Sequence, residues 1–263
     1  MREGEIMMTR SIVFFDIDGT LLNEKKQINP STKQAIAQLQ QSGVYTAIAT
    51  GRCPASFQWV CEELNIRSFV SMNGQYAVFE GKVVHDNPLP AAEVERLTDM
   101  ATKRNHPLVY LQADAMQSSM GQDSISDALK QFQIGRLPLR QASDQDKSVY
   151  QILLFCNEQE GKEYAVHFPD YQQHRWHPNA VDFLHGNISK AVGLQKMLEY
   201  GGFSREQCCA FGDGTNDIEM LQFAGIGVAM GNASPDVKSH ANVVTTSHNE
   251  DGIRNGLQAI GLL

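Results

Sequence analysis

Residues 11–23 read SIVFFDIDGTLLN. Ile12 to Phe15 are four consecutive apolar residues, and such a run without alternation suits a strand covered on both faces, as in a parallel sheet. Two acids, Asp16 and Asp18, follow at once with only Ile17 between them. Acids are among the residues least often buried without partners. A greasy strand that ends in two of them either caps a surface turn or holds something positive together.

The same design recurs along the chain. Val44–Ala49 ends in Thr50-Gly51-Arg52, Phe69–Met72 in Asn73-Gly74, Cys208–Phe211 in Gly212-Asp213-Gly214, and Ile226–Met230 in Gly231-Asn232. Helical patterns lie between these runs. Pro30 and Ser31 open one with Ile36 and Leu39 inward, closed by Gly43; Pro at the first turn and Gly past the end is the usual asymmetry. Pro54 opens the next, where Phe57, Val60, Cys61 and Leu64 share a face. Ser189 is placed to cap a helix carrying Leu194, Met197 and Leu198, ended by Gly201-Gly202, and Ser234-Pro235 starts another. Strand, helix and strand in this order imply right-handed crossovers. The expected class is therefore α/β: a doubly wound, Rossmann-like parallel-sheet core. Ligands of such sheets bind outside the carboxyl ends of the strands, where every polar group just named falls.

Residues 84–184 break that rhythm. They carry helical patterns near Ala91–Arg104 and Ser124–Phe132, and strand-like runs at Leu108–Leu111, Val149–Phe155 and Ala180–Leu184. The expected organisation is a core of residues 1–83 and 185–263 with an inserted α/β cap domain at 84–184. A chain of 263 residues is near the upper limit for one hydrophobic core.

Composition narrows the functional classes. The chain is 42% hydrophobic and 20% charged, with net charge −8. No basic cluster marks it for nucleic acid or an anionic membrane, so neither partner is expected. The five cysteines (Cys53, Cys61, Cys156, Cys208, Cys209) lack a CxxC pair, which disfavours a disulfide framework or zinc site and suits a reducing cytosol. Cys61, Cys208 and Cys209 read as small buried hydrophobes. The start, MREGEIMM, has no apolar segment of a secretory signal, and Met7 or Met8 offers an alternative start. A cytoplasmic protein is expected; its oligomeric state is not written in the sequence.

Side chains at i and i+2 of a strand share a face, so Asp16 and Asp18 would point the same way while the chain stays extended. Two such carboxylates repel unless a cation intervenes. Mg²⁺ uses one or two carboxylates and leaves further positions for water and phosphate. Asp213 and Asp217 offer more acids from another strand end. Thr50 and Gly51 offer a hydroxyl and backbone N–H groups to an anion, and Lys190 lies in the first turn of its helix, where a lysine is best explained by an anion. Arg52 is read evenly as an acid's partner or a surface residue. Together these groups suit phosphoryl transfer, which needs positioning and charge neutralisation above all. His174 and His177 in HRWH, three apart on a strand, face opposite ways and are read as ordinary residues; His185 is left unassigned.

With these motifs in hand, FFDIDGTLL (14–22), ATGR (49–52), Ser189-Lys190 and FGDGTNDIEML (211–221), followed by GIGVAMGNA (225–233), the sequence resembles the haloacid dehalogenase-like phosphatases, in particular Cof-type members with a large α/β cap. The resemblance implies Asp16 as nucleophile and Mg²⁺ ligand, and Asp18 as general acid/base with its carbonyl on the metal. It implies Thr50 and Lys190 as the phosphate-binding pair and Asp213 as the third protein contact to Mg²⁺. Asn216, Asp217 and Gly214 would support the metal or phosphate, and Asn73 would reach the substrate. The implied activity is Mg²⁺-dependent hydrolysis of a small phosphorylated metabolite through a phosphoaspartyl intermediate. A phosphomutase on a sugar phosphate, or a non-hydrolytic phosphoacceptor switch, stays open beside it. The family's lysine segment commonly reads Gly-Val-Ser-Lys-Gly, whereas this chain has Asn187-Ile188-Ser189-Lys190-Ala191. Ala does not easily replace a glycine at positive φ, so a different local backbone is expected there.

Overall fold

The computed structural model describes residues 11–121, 125–130 and 134–263. They divide into two compact units. One comprises the chain to Gly51, Trp59–His85 and Ser189–Leu263; the other comprises Arg52–Gln58 and Asp86–Ile188.

The first unit opens with β1 (Ile12–Phe15), whose four residues are fully buried, worth about 1.5–3 kcal/mol each relative to exposure. Next come α1 (Pro30–Gln41), β2 (Tyr45–Ala49), α2 (Gln58–Leu64), β3 (Ser68–Ser71), β4 (Tyr76–Phe79) and β5 (Lys82–Asp86). Helix α1 starts on Pro30, buries Ala35, Ile36 and Leu39, and stops before Gly43, whose φ of +83° no other residue adopts as readily. The helix expected from Pro54 is delayed. A separate 3-10 turn spans Pro54–Ser56, and α2 begins only at Gln58. Phe57, Val60 and Leu64 are buried as expected, while Cys61 is half-buried rather than a core residue.

The second unit contains α3 (Ala91–Lys103), β6 (Leu108–Leu111), β7 (Met116–Ser118), α4 (Ser126–Lys130), β8 (Gln151–Leu154), α5 (Glu158–His167), β9 (Tyr171–His177) and β10 (Ala180–His185). Part of the helix expected at Ser124–Phe132 lies outside the described residues. The strands order as β7-β6-β8-β10-β9, with every pair antiparallel. Val94, Leu97 and Ala101 of α3 join Leu108, Tyr110, Ile152, Leu154 and Phe183 in this unit's core. Asn157 caps α5 reciprocally with Glu160. His174 and His177 belong to no group of potential metal ligands among the described residues.

The chain then returns to the first unit through α6 (Lys190–Gly201), β11 (Cys208–Gly212), α7 (Ile218–Phe223), β12 (Ile226–Ala229), α8 (Pro235–Ser239), β13 (Val243–Val244) and α9 (Gly252–Ala259). Its eight strands order as β13-β12-β11-β1-β2-β3-β4-β5. The six from β13 to β3 are parallel, and β4 runs antiparallel to β3. β1 lies between β11 and β2, with Phe15 beside both Phe211 and Ile48. That position explains the unbroken apolar run, and it brings the carboxyl ends of β1, β2 and β11 together. Among the described residues no helix is long and apolar enough to cross a membrane.

Candidate active site

Strand β1 stops at Phe15, and the Asp16 N–H still donates to the Phe211 carbonyl at 2.9 Å. The chain then turns sharply, with the Leu22 N–H on the Ile17 carbonyl at 2.9 Å. Around this turn the two acids have different surroundings. Asp16 is buried, 7% exposed. Asp18 is partly exposed and pairs with the Lys26 ammonium at 2.8 Å. Lys26 itself sits at φ +56° in the tight turn after Asn23.

Lys190, 1% exposed, carries the central cation. Its Nζ donates to Asp16 Oδ1 and to Asp217 Oδ1, each at 2.6 Å. Asp217 is completely buried, and its other oxygen accepts the backbone N–H groups of Asp213 and Gly214, both at 2.9 Å. With both oxygens engaged, Asp217 serves as an anchor: it seats the lysine and folds the Gly212–Gly214 turn. A Cβ on Gly212 would fall 2.6 Å from the Asp217 side chain, so β11 ends on glycine for lack of room.

Asp213 faces Asp16 from the end of β11. Carboxylate oxygens of Asp16, Asp213 and Asp217 lie within 4.8 Å of one another. Thr20 Oγ1 donates to Asp213 Oδ1 at 2.9 Å, and Asn232 Nδ2 to Asp213 Oδ2 at 3.2 Å. Gly19 permits this approach. Its φ is +78°, and a Cβ there would stand 2.1 Å from Asp213 Oδ2. Gly19→Ala is accordingly expected to displace Asp213 and cost about 1–2 kcal/mol for the left-handed backbone alone. Thermal melting should fall by a few degrees, more than for alanine at an exposed helical position.

The third edge of the site is built by strain. Met72, Asn73 and Gly74 are all left-handed, with φ of 48°, 53° and 106°. Two consecutive non-glycine residues in this region cost about 1–2 kcal/mol each and mark a conformation held for a purpose. The turn places the buried Asn73 so that its Oδ1 accepts from Asn216 Nδ2 at 3.1 Å. Its backbone N–H donates to the Thr50 carbonyl at 3.1 Å. A Cβ on Gly51 would come within 2.9 Å of the Asn73 amide. Thr50, Gly51, Asn73 and Asn216 thus form one group. A Cβ on Gly74 would strike the Ser189 carbonyl at 2.1 Å, so the same turn packs against the start of α6.

Two local expectations are corrected here. Ser189 occupies the N-cap position but its side chain does not cap α6, and its buried hydroxyl finds no partner among the described residues. At φ −152° its backbone is far more extended than that of Ser234 (φ −64°), whose side chain does accept from the Val237 N–H. Ala191, in turn, lies inside α6, and neither it nor Asn187 has positive φ. No glycine conformation is demanded there, so the departure from Gly-Val-Ser-Lys-Gly is tolerated by the helix.

The electrostatics follow from burial. The carboxylates of Asp16, Asp213 and Asp217 cluster together, and the Lys190 ammonium is paired with two of them, Asp16 and Asp217. Burial pushes the Asp16 carboxyl well above its usual range; Lys190 works against this, and the charges of Asp217 and Asp213 add to it. Burial, then the Asp217 charge, pushes Asp213 up to about 7. Lys190 is held above its normal value, because Asp16 and Asp217 together outweigh its own desolvation. Ionised together, the three carboxylates would carry two more charges than Lys190 offsets, and with their hard oxygen donors they fit a small dication. With both Asp217 oxygens engaged, Asp16 and Asp213 are the side chains of this group that could hold it.

Nothing in the local sequence around Thr20, Lys26 or Asn232 marks them as site residues. Thr20 sits within the quoted DGT and Asn232 follows a strand end, but their shared target is visible only once β1, β11 and β12 are adjacent.

Residues 13–257 match the haloacid dehalogenase-like hydrolase family. The chain belongs to that family, and it is an enzyme of the phosphatase kind. It is 38% identical over 257 residues to "Putative phosphatase YkrA" of Bacillus subtilis strain 168, covering 97% of this chain and 100% of the relative. It is 30% identical to pyridoxal phosphate phosphatase YbhA of Escherichia coli K12, over 94% of this chain and 97% of that one. A crystal structure of a hypothetical protein from Geobacillus kaustophilus HTA426 superposes with a TM-score of 0.91 at 46% identity, covering 97% of this chain and 100% of the other.

Proposed function

We propose that the protein hydrolyses the phosphate monoester of a small metabolite, with Mg²⁺ as cofactor and a phosphoaspartyl intermediate on Asp16. The observation that carries this reading is the buried Asp16 carboxylate, oriented by Lys190 at 2.6 Å with the Asp213 carboxylate within 4.8 Å. Asp16 would attack phosphorus while Asp18, leaving Lys26, protonates the departing alcohol oxygen as the P–O bond breaks. Asp18 would then take a proton from water, whose oxygen attacks the acyl phosphate and releases inorganic phosphate, regenerating the Asp16 carboxylate. Thr50, Gly51, Lys190 and Asn216, with Asn73 behind Asn216, would hold the phosphoryl oxygens.

The cation would be held by Asp16, the Asp18 carbonyl and Asp213, with Asp217 and Gly214 shaping the turn beneath. When bound, it neutralises charge on the transferring group and keeps Asp16 ionised. Residues 84–184 are proposed as the cap that selects the substrate. The five free cysteines support a cytoplasmic location.

The test is phosphate release from a panel of phosphorylated metabolites, pyridoxal phosphate included, with and without Mg²⁺. Net hydrolysis separates this reading from a phosphomutase and from a stable phosphoprotein switch. A second measurement uses pH. Because the metal-free Asp213 carboxyl is protonated below about 7, binding Mg²⁺ must displace its proton. Metal affinity is therefore expected to rise with pH between about 6 and 8 and to level off above, with proton release in calorimetry. Affinity independent of pH across that window would remove Asp213 from the ligand set.

A further inference from the structure

Asn232 follows β12 and ties three segments together with one amide. Its Nδ2 donates to the Gly19 carbonyl at 2.9 Å and to Asp213 Oδ2 at 3.2 Å. Its Oδ1 accepts the His248 N–H at 3.1 Å. The backbone beneath it is fixed independently. The Gly231 N–H donates to the Thr246 carbonyl at 3.0 Å, and Lys238 Nζ to the Gly231 carbonyl at 2.6 Å. A Cβ on Gly231 would meet the Ser247 backbone at 2.6 Å, so the two loops run in close contact.

The consequence falls on Asp213. The torsion that turns a carboxylate about its own bond is broad and soft, so a lone aspartate does not present its oxygens in a fixed plane. Here one oxygen is taken by Thr20 and the other by Asn232, both neutral donors. Each oxygen keeps a lone pair, and the plane is set. Through the Gly19 carbonyl the same amide is fastened to the turn that carries Asp16.

We propose that Asn232 is a positioning residue for the cation: it orients the Asp213 carboxylate and joins it to the nucleophile's turn. This rests on the reading above that Asp213 is a metal ligand. The role requires a donor at Nδ2 and is distinct from bracing the 246–248 loop, which falls to Oδ1.

The experiment measures Mn²⁺ affinity of the purified full chain directly, by the loss of free-ion EPR signal, in wild type and four variants. Asn232→Ala is expected to weaken Mn²⁺ binding about tenfold, in the range found when a group behind a metal ligand is removed. Its metal-free melting temperature should stay close to wild type. Lys238→Met loosens the same loop without touching the amide and is expected to stay within twofold. Thr20→Val removes the other donor on Asp213 and should weaken binding as Asn232→Ala does. Asp213→Asn separates the two levels of the argument. If it abolishes Mn²⁺ binding while Asn232→Ala stays within twofold of wild type, the positioning role is overturned and the ligand reading survives. If Asp213→Asn leaves affinity unchanged, both fall. Equal losses in Lys238→Met and Asn232→Ala would also overturn the proposal, by assigning the effect to the loop. Should the alanine variant fail to fold, Asn232→Ser serves the same comparison.

Discussion

Asp16→Asn is expected to abolish phosphate release from any substrate the enzyme accepts, by about 10⁴-fold or more, as removal of a covalent nucleophile does elsewhere. Asparagine matches aspartate in shape, and its amide oxygen can still accept from Lys190. The loss would therefore be chemical rather than architectural. Stability should move the other way. Burial makes the Asp16 charge costly in the absence of a cation, so the metal-free variant should melt no lower than wild type, while stabilisation by Mg²⁺ shrinks. Acid-stable labelling of wild type but not of the variant by a ³²P-labelled substrate would locate the phosphoryl group. Full Mg²⁺-dependent turnover in Asp16→Asn would end the nucleophile assignment.

Lys190→Met should be the most destabilising of the single changes considered. The ammonium is 1% exposed and sits 2.6 Å from each of two carboxylates that are themselves buried. Methionine fills much the same volume, so the cost comes from charge. Breaking a buried pair by removing one partner leaves uncompensated ions and costs about 3–5 kcal/mol, which corresponds to roughly 6–20 °C in melting temperature for a chain of this size. The pH dependence has a definite sign. Burial already holds Asp16 above its usual carboxylate range with Lys190 present, so without the ammonium it is held higher still and the folded variant binds more protons than the unfolded chain. Its stability must then fall as pH rises. The deficit relative to wild type should be smallest near pH 5 and grow toward pH 8, and Mg²⁺ should restore part of it. A deficit independent of both pH and Mg²⁺ would mean that Lys190 matters only for packing.

These expectations depend on a site whose parts were unequally legible in the sequence. The central strands, unlike β5, β7 and β13, were legible because burial on both faces writes itself as an unbroken apolar run, as at Ile12–Phe15 and Cys208–Phe211. The polar residues at their carboxyl ends were legible for the same reason, each being the first break in a run. The start of α2 was misplaced because Pro54 is as compatible with a 3-10 turn as with an α-helix. Ser189 was misassigned because a residue type names a capping position without fixing its backbone angles.

The sequence by itself marked Asp16, Thr50, Asn73 and Asp213 as the polar breaks that follow apolar strand runs, and Lys190 as a first-turn residue of a helix. Only the tertiary structure decided how they are used. It paired Asp18 with Lys26 and Asp16 with Lys190, gave Asp217 to the lysine and the Gly212–Gly214 turn, and brought Thr20 and Asn232 onto opposite oxygens of Asp213. The physical reason is that periodicity records which side of an element is buried. Hydrogen bonds between residues 193 positions apart, such as Thr20 with Asp213, leave no periodic trace.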